Sequence, residues 1–129
     1  LGKTMFMSQN GHLIGAVGID LERGYVEVGF FDNTTEVPVW LPYGPRIYGP
    51  LEIGEDVYGS SVALVDDVNN GVILFILSED AGFAEVYFFI KGMNVWERGV
   101  TFSSQGSESL SHGALSSNGQ FFVLAYTDL

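Results

Sequence analysis

An all-β fold is what this sequence predicts, and three observations carry the prediction. The 17 glycines are spaced so closely that amphipathic helical spacing never runs for more than a turn or two. Short apolar runs alternate with turn pairs such as Asn10-Gly11, Asn70-Gly71 and Lys91-Gly92. Glycine-marked segments also recur at a regular interval.

Taken in order, residues 3–8 read as a strand closed by Asn10-Gly11, and residues 12–20 as a second strand relieved by Gly15, Ala16 and Gly18. A turn over residues 21–24 leads into Tyr25 to Phe31. There Val26, Val28 and Phe30 alternate with Tyr25, Glu27 and Gly29, the pattern of a strand with one solvated face. Residues 36–41 form the next strand, and Pro38 places it at a sheet edge because proline cannot donate to a ladder. An irregular stretch around Arg46-Ile47-Tyr48 and a connector over residues 52–60 follow.

Residues 61–99 hold four short strands and the most apolar segment, Val72 to Leu77. That run shows no alternation and so predicts a strand buried on both faces, between neighbouring sheets. One helical candidate, the Ser-rich connector 107–115, precedes a last strand over residues 120–126.

Gly24, Gly71 and Gly119 each stand before an apolar strand, and Gly44 and Gly92 follow at similar distances, which defines a period of 47 to 48 residues. Periods of this size mark solenoids, propellers and arrays. The predicted architecture is a β-propeller-like repeat of four-stranded antiparallel blades, about 2.7 of them in one domain of residues 1–129. The blade-like units run over 13–60, 61–110 and 111–129, the last completed by residues 1–12. Because propellers close with about 4 to 8 blades, the chain is expected either to form a homo-oligomer, to meet a partner chain that completes the ring, or to be part of something longer.

Composition narrows the function. Sixteen acidic residues against five Lys and Arg give a net charge of −11, which opposes a phosphate backbone or an anionic lipid surface, so neither nucleic acid nor membrane is an expected partner. No cysteine is present, which removes disulfides, thiolate nucleophiles and zinc-thiolate sites. An apolar share of 47% demands burial between sheets or in an interface. Asn33-Thr34-Thr35 forms a glycosylation sequon on a turn, in keeping with a secreted protein. The oxygen-rich run 66–71 lacks the spacing and closing glutamate of a calcium loop and reads as a hairpin turn. No cofactor or metal is expected, and His12 and His112 read as turn or edge residues.

Glu36 and Glu85 each precede a valine at the start of a third strand, where a carboxylate can accept hydrogen bonds from sugar hydroxyls. Trp40 and Trp96 offer flat apolar platforms, and Tyr87 lies beside Glu85. Each also has a structural use, as a solvated strand end or as packing between blades. The segments SVALV, VILFIL, FAEVYFF and VWERG resemble the four strands of a blade in the fungal fucose-binding lectins of the Aleuria aurantia type. That resemblance implies a third-strand glutamate as sugar ligand, which falls on Glu85, on Glu36 in the first repeat and on Lys3 or Thr4 in the third. The arginine those lectins use is replaced here by Glu27, Leu74 and Phe122 or Val123. The expected function is a non-catalytic, lectin-like, carbohydrate-binding propeller that gains strength from multivalency. The alternative is a structural or protein-interaction module that assembles through exposed blade edges, and a carboxylate-dependent glycosidase comes third.

Overall fold

Antiparallel strands make up the structure, a computed structural model that describes residues 4–50, 58–79, 81–103, 108–116 and 118–128. Sheet A contains β1 (Thr4–Met7), β2 (Leu13–Asp20), β3 (Arg23–Asp32) and β4 (Val39–Pro42) as a meander, with β5 (Ile47–Tyr48) also on β3. Sheet B is the meander β6 (Ser61–Asp67), β7 (Gly71–Ser78), β8 (Phe83–Ile90) and β9 (Val95–Ser103). Sheet C pairs β10 (Glu108–Leu115) with β11 (Phe122–Asp128). Lys3 and most of the connector 52–60 lie outside the described residues.

The sheets stack in chain order, with B in the middle. One core joins Leu13, Val17, Val26 and Val28 of sheet A to Leu64, Leu74, Ile76 and Tyr87 of sheet B. A second joins Ile73, Phe75, Leu77, Ala84 and Val86 of sheet B to Leu110 of sheet C, with Leu115 and Leu124 packed against it. Alternate residues of β7 therefore feed different cores, and Val72 to Leu77 is buried throughout. That is why the segment shows no polar alternation. Below, the leading face of a sheet is the one toward the preceding sheet, and the trailing face is the one toward the following sheet.

The Ser-rich composition of residues 107–115 predicts a helix, but Glu108–Leu115 forms the strand β10. Pairing with β11 and burial of Leu110 against sheet B outweigh the weak local preference of a Ser-rich segment.

The strands group one place earlier than the glycine spacing suggests. β1 pairs with β2, Met5 opposite Ala16, so residues 4–7 belong to sheet A and not, as the glycine spacing predicts, to the unit that holds β10 and β11. The equivalent turns are therefore Asn10-Gly11, Asn70-Gly71 and Asn118-Gly119, whose glycines have φ of 75°, 80° and 74°. Such angles suit glycine far better than any residue with a Cβ. Gly24 corresponds to Gly82, and GYVEVGFF of β3 to GFAEVYFF of β8. Register agrees: Glu27 stands opposite Ala16 as Glu85 stands opposite Ile76, and Phe31 opposite Trp40 as Phe89 opposite Trp96. Gly11 and Gly24 bracket β2, whose length sets their spacing.

The first and third turns repeat down to single atoms. Ser8 Oγ donates to Asn10 Oδ1 at 2.7 Å and accepts from Leu13 N at 3.1 Å. Ser116 Oγ donates to Asn118 Oδ1 at 2.8 Å and accepts from Phe121 N at 3.0 Å. The turns also touch in sequence: Asn10 Nδ2 donates to Asp66 Oδ2 at 3.1 Å, and Asn70 Nδ2 to the Asn118 carbonyl at 2.9 Å.

By contrast, the β2–β3 turn uses the wrong residues. Leu21 (φ 50°) and Glu22 (φ 63°) both occupy the left-handed region, where each non-glycine residue costs roughly 1–2 kcal/mol. Replacing the pair with Asn-Gly, the preferred two-residue hairpin loop, is expected to raise stability by about 1–2 kcal/mol in denaturant unfolding. An unchanged midpoint would show that the turn is not held in this geometry.

Candidate functional site

The residues expected to bind a ligand separate into two places. Glu85, Tyr87 and Trp96 lie on the leading face of sheet B, against sheet A. Glu36 and Trp40 are exposed parts of sheet A and its β3–β4 loop. Glu36 stands in that loop and begins no third strand; Glu27 is the residue of sheet A that matches Glu85 in register.

Glu85 is only 3% exposed, in the middle of β8. A carboxylate so placed must have its oxygens occupied. Tyr58 Oη donates to Oε1 at 2.9 Å, Tyr87 Oη donates to Oε2 at 3.1 Å, and Arg98 Nη1 reaches Oε2 at 3.5 Å. Tyr58, from the connector ahead of β6, is almost wholly buried and rests near Phe83, with ring centroids 6.3 Å apart.

Arg98 reaches this cluster because β9 is irregular. Val86 pairs with Val100 and Tyr87 with Arg98, which leaves Gly99 as the extra residue of a bulge. Without it, alternation would turn Arg98 to the opposite face. A Cβ at Gly99 would lie 2.3 Å from the Phe88 ring, so a larger residue here would have to push that exposed ring aside.

Burial raises the pKa of both hydroxyls, and the adjacent Glu85 charge adds to the effect. Tyr87 is pushed up to about 12, and Tyr58 is raised further. An unfolded tyrosine ionises near pH 10. Raised folded-state values mean that this contribution to stability is complete below about pH 10 and is lost as pH climbs toward about 12. Burial, with the Asp66 charge, raises Tyr43 as well, so ultraviolet tyrosinate titration should show late-titrating tyrosines, Tyr58 and Tyr87 among them, together with alkaline loss of stability. Six tyrosines that all titrate near pH 10 in the folded state would contradict the cluster.

Trp96 belongs to a ring cluster with Tyr43 and Phe89, at centroid distances of 6.2 and 5.1 Å. Its Nε1 is buried without a hydrogen-bond partner among the described residues. The indole is partly buried and packs against the core between sheets A and B.

Sheet A carries the same constellation uncovered. The Phe31 and Trp40 rings meet at a tilt with centroids 5.0 Å apart, much as Phe89 and Trp96 meet edge-on at 5.1 Å, but Trp40 is 57% exposed. Glu27 receives Arg46 Nε at 3.3 Å, as Glu85 receives Arg98. Arg46 also lies 4.1 Å above the Tyr25 ring and 3.4 Å from Asp20. It gets there through another interruption: β4 and β5 both pair with β3, Gly29 opposite Pro42 and Val26 opposite Ile47, so residues 43–46 bulge out of one broken strand. Met5, Ile14, Ala16, Glu27 and Trp40 line an open trough of about 290 Å³ on this face.

The other signals resolve locally. Asp67 Oδ2 accepts from the Asn69 and Asn70 amides at 3.0 and 2.9 Å, so its carboxylate caps the hairpin turn. Among the described residues, no group of three or more His, Asp or Glu could hold a metal. No helix there is long and apolar enough to cross a membrane, which leaves strand-built membrane proteins unaddressed.

Tyr58 and Arg98 were missed in the sequence. Arg98 could have been found from the Trp-x-x-Gly spacing read as a bulge, whereas Tyr58 carries no local signal. No protein-family profile matches the chain, and neither do curated proteins or solved structures.

Proposed function

We propose that the chain is a non-catalytic interaction module, a propeller-like stack of blades that works by receiving further β-sheet surface on its two open faces. One observation carries this reading. Positions that are buried on both faces of sheet B recur more openly on the outer faces, partly or fully exposed on the leading face of sheet A and exposed on the trailing face of sheet C. Contiguous exposed apolar surface of this kind marks an interaction site. Light scattering across a concentration series tests the reading: molar mass should rise above that of one chain, and a monomer at every concentration would defeat it.

Carbohydrate binding is the second reading, and it now rests on a different place. The exposed Trp40–Phe31 pair beside Glu27 and the trough offers an apolar platform with a hydrogen-bonding carboxylate. Glycan-array binding abolished by Trp40→Ala would favour it, and silence across a broad array at high protein concentration would count against it. Glu85 supports neither sugar binding nor glycoside hydrolysis, because Tyr58, Tyr87 and Arg98 occupy its oxygens.

A further inference from the structure

We propose that two copies of this chain join head to tail, the trailing face of sheet C in one copy docking on the leading face of sheet A in the next. The proposal rests on the interaction-module reading above and names both its partner and its polarity.

The argument is continuity with the two interfaces already inside the chain. Sheet A covers Leu64, Leu74, Ile76, Glu85, Phe89 and Trp96 on the leading face of sheet B. By pairing register, their counterparts on sheet A are Met7, Ile14, Ala16, Glu27, Phe31 and Trp40. Among the described residues no other sheet covers these; Met7, Phe31 and Trp40 are exposed, and Ile14, Ala16 and Glu27 partly so.

On the other side of sheet B, Ile73 and Phe75 are buried in the core shared with sheet C, with Ala63 packed against it. Their counterparts on sheet C are Phe121, Val123 and Ala114. Phe121 is 69% exposed and Val123 is 67% exposed. Sheet C thus presents the surface that sheet A lacks, and sheet A the surface that sheet C lacks.

Polarity follows from the same register. At both internal interfaces a trailing face meets a leading face, and each Asn-Gly turn hydrogen-bonds to the turn of the following sheet. Asn118, the last of the three, spends its side-chain donor on Gln120 of its own turn at 3.2 Å. In the docked pair it lies where it can reach the Asn10 turn of the next copy. A symmetric contact between two leading faces would instead leave Phe121 and Val123 of the trailing face of sheet C uncovered in both copies. Head-to-tail contacts form rings where the rotation closes and open arrays where it does not. With −11 per chain, copies repel one another at low ionic strength, so association strengthens as salt is added.

The test uses the 129-residue chain with one charge placed on each face, Trp40→Glu on the leading face and Val123→Glu on the trailing face. Both positions are exposed, and circular dichroism checks that each variant is folded; Met7→Glu and Phe121→Glu are the substitutes if one is not. Wild type should show a mass above the 14.1 kDa of one chain. Each variant alone should associate about 100-fold more weakly, the effect of burying an unpaired charge. Mixing the two variants, one isotopically labelled, should restore a one-to-one heterodimer in native mass spectrometry, because each retains the face the other has lost. Wild type that stays monomeric overturns both this proposal and the module reading. Wild type that associates while only one variant is impaired, or while the mixture forms no heterodimer, overturns the head-to-tail contact and leaves the module reading standing.

Discussion

Replacing Glu85 by alanine is expected to cost about 3 kcal/mol of folding stability, the scale of losing hydrogen bonds to a buried charged group. The variant strands two tyrosine hydroxyls, Tyr58 and Tyr87, in the interface between sheets A and B, and opens a small cavity between them. Arg98 adds little to the loss, since its side chain is mostly solvated and remains so after its partner is removed. Glu85→Gln retains one acceptor oxygen and should cost about half as much. In the alanine variant the late alkaline titration of the two tyrosines should shift toward the ordinary value near pH 10. A denaturation midpoint equal to wild type, with the tyrosine titration unmoved, would mean that this cluster does not hold sheets A and B together.

The second large effect belongs to Phe75. It lies on the opposite face of sheet B, buried against sheet C, with its ring centroid 6.2 Å from that of Phe122. Phe75→Ala should cost about 3–5 kcal/mol, from lost transfer energy together with the cavity left behind. The loss should be uneven in space. Sheet C is two-stranded, and a two-stranded ribbon needs a packed face to persist. Hydrogen exchange should therefore accelerate first in β10 and β11 while β2 and β3 keep their protection. Uniform acceleration in all three sheets would show instead that the stack unfolds as one unit.

Much of the architecture was legible because it depends on local chemistry. Asn-Gly pairs mark three of the turns, and Val72 to Leu77 shows in its lack of alternation that it has a sheet on each side. Pro38 marks the approach to an edge strand, and β4 is indeed the edge of the sheet A meander. The repeat itself was visible as well, but its register was not. Gly24 and Gly71 both precede apolar strands, and spacing cannot tell a second strand from a third; hydrogen-bonded pairing does.

The site was less legible for the same reason. Glu36 matches Glu85 in its neighbouring valine, yet the strand pairing selects Glu27. Trp40 and Trp96 are alike as letters and as cross-strand partners of phenylalanine, yet one is exposed and the other packed away. The difference lies in whether another sheet lies over the face, and that depends on contacts far apart in the chain.

From the sequence alone follow the all-β class, the turn positions, the doubly buried strand at the centre of sheet B and the presence of a repeat. These arise from backbone preference and from the two-residue period of side chains along a strand. Tertiary structure alone decides that β1 belongs to sheet A and that Tyr58 and Arg98 converge on Glu85. It also decides which copy of the repeated Glu–Arg and Phe–Trp pairs is covered and which is open. Those outcomes depend on register and stacking, and each is set by the summed burial of many residues from distant segments, which no single position encodes.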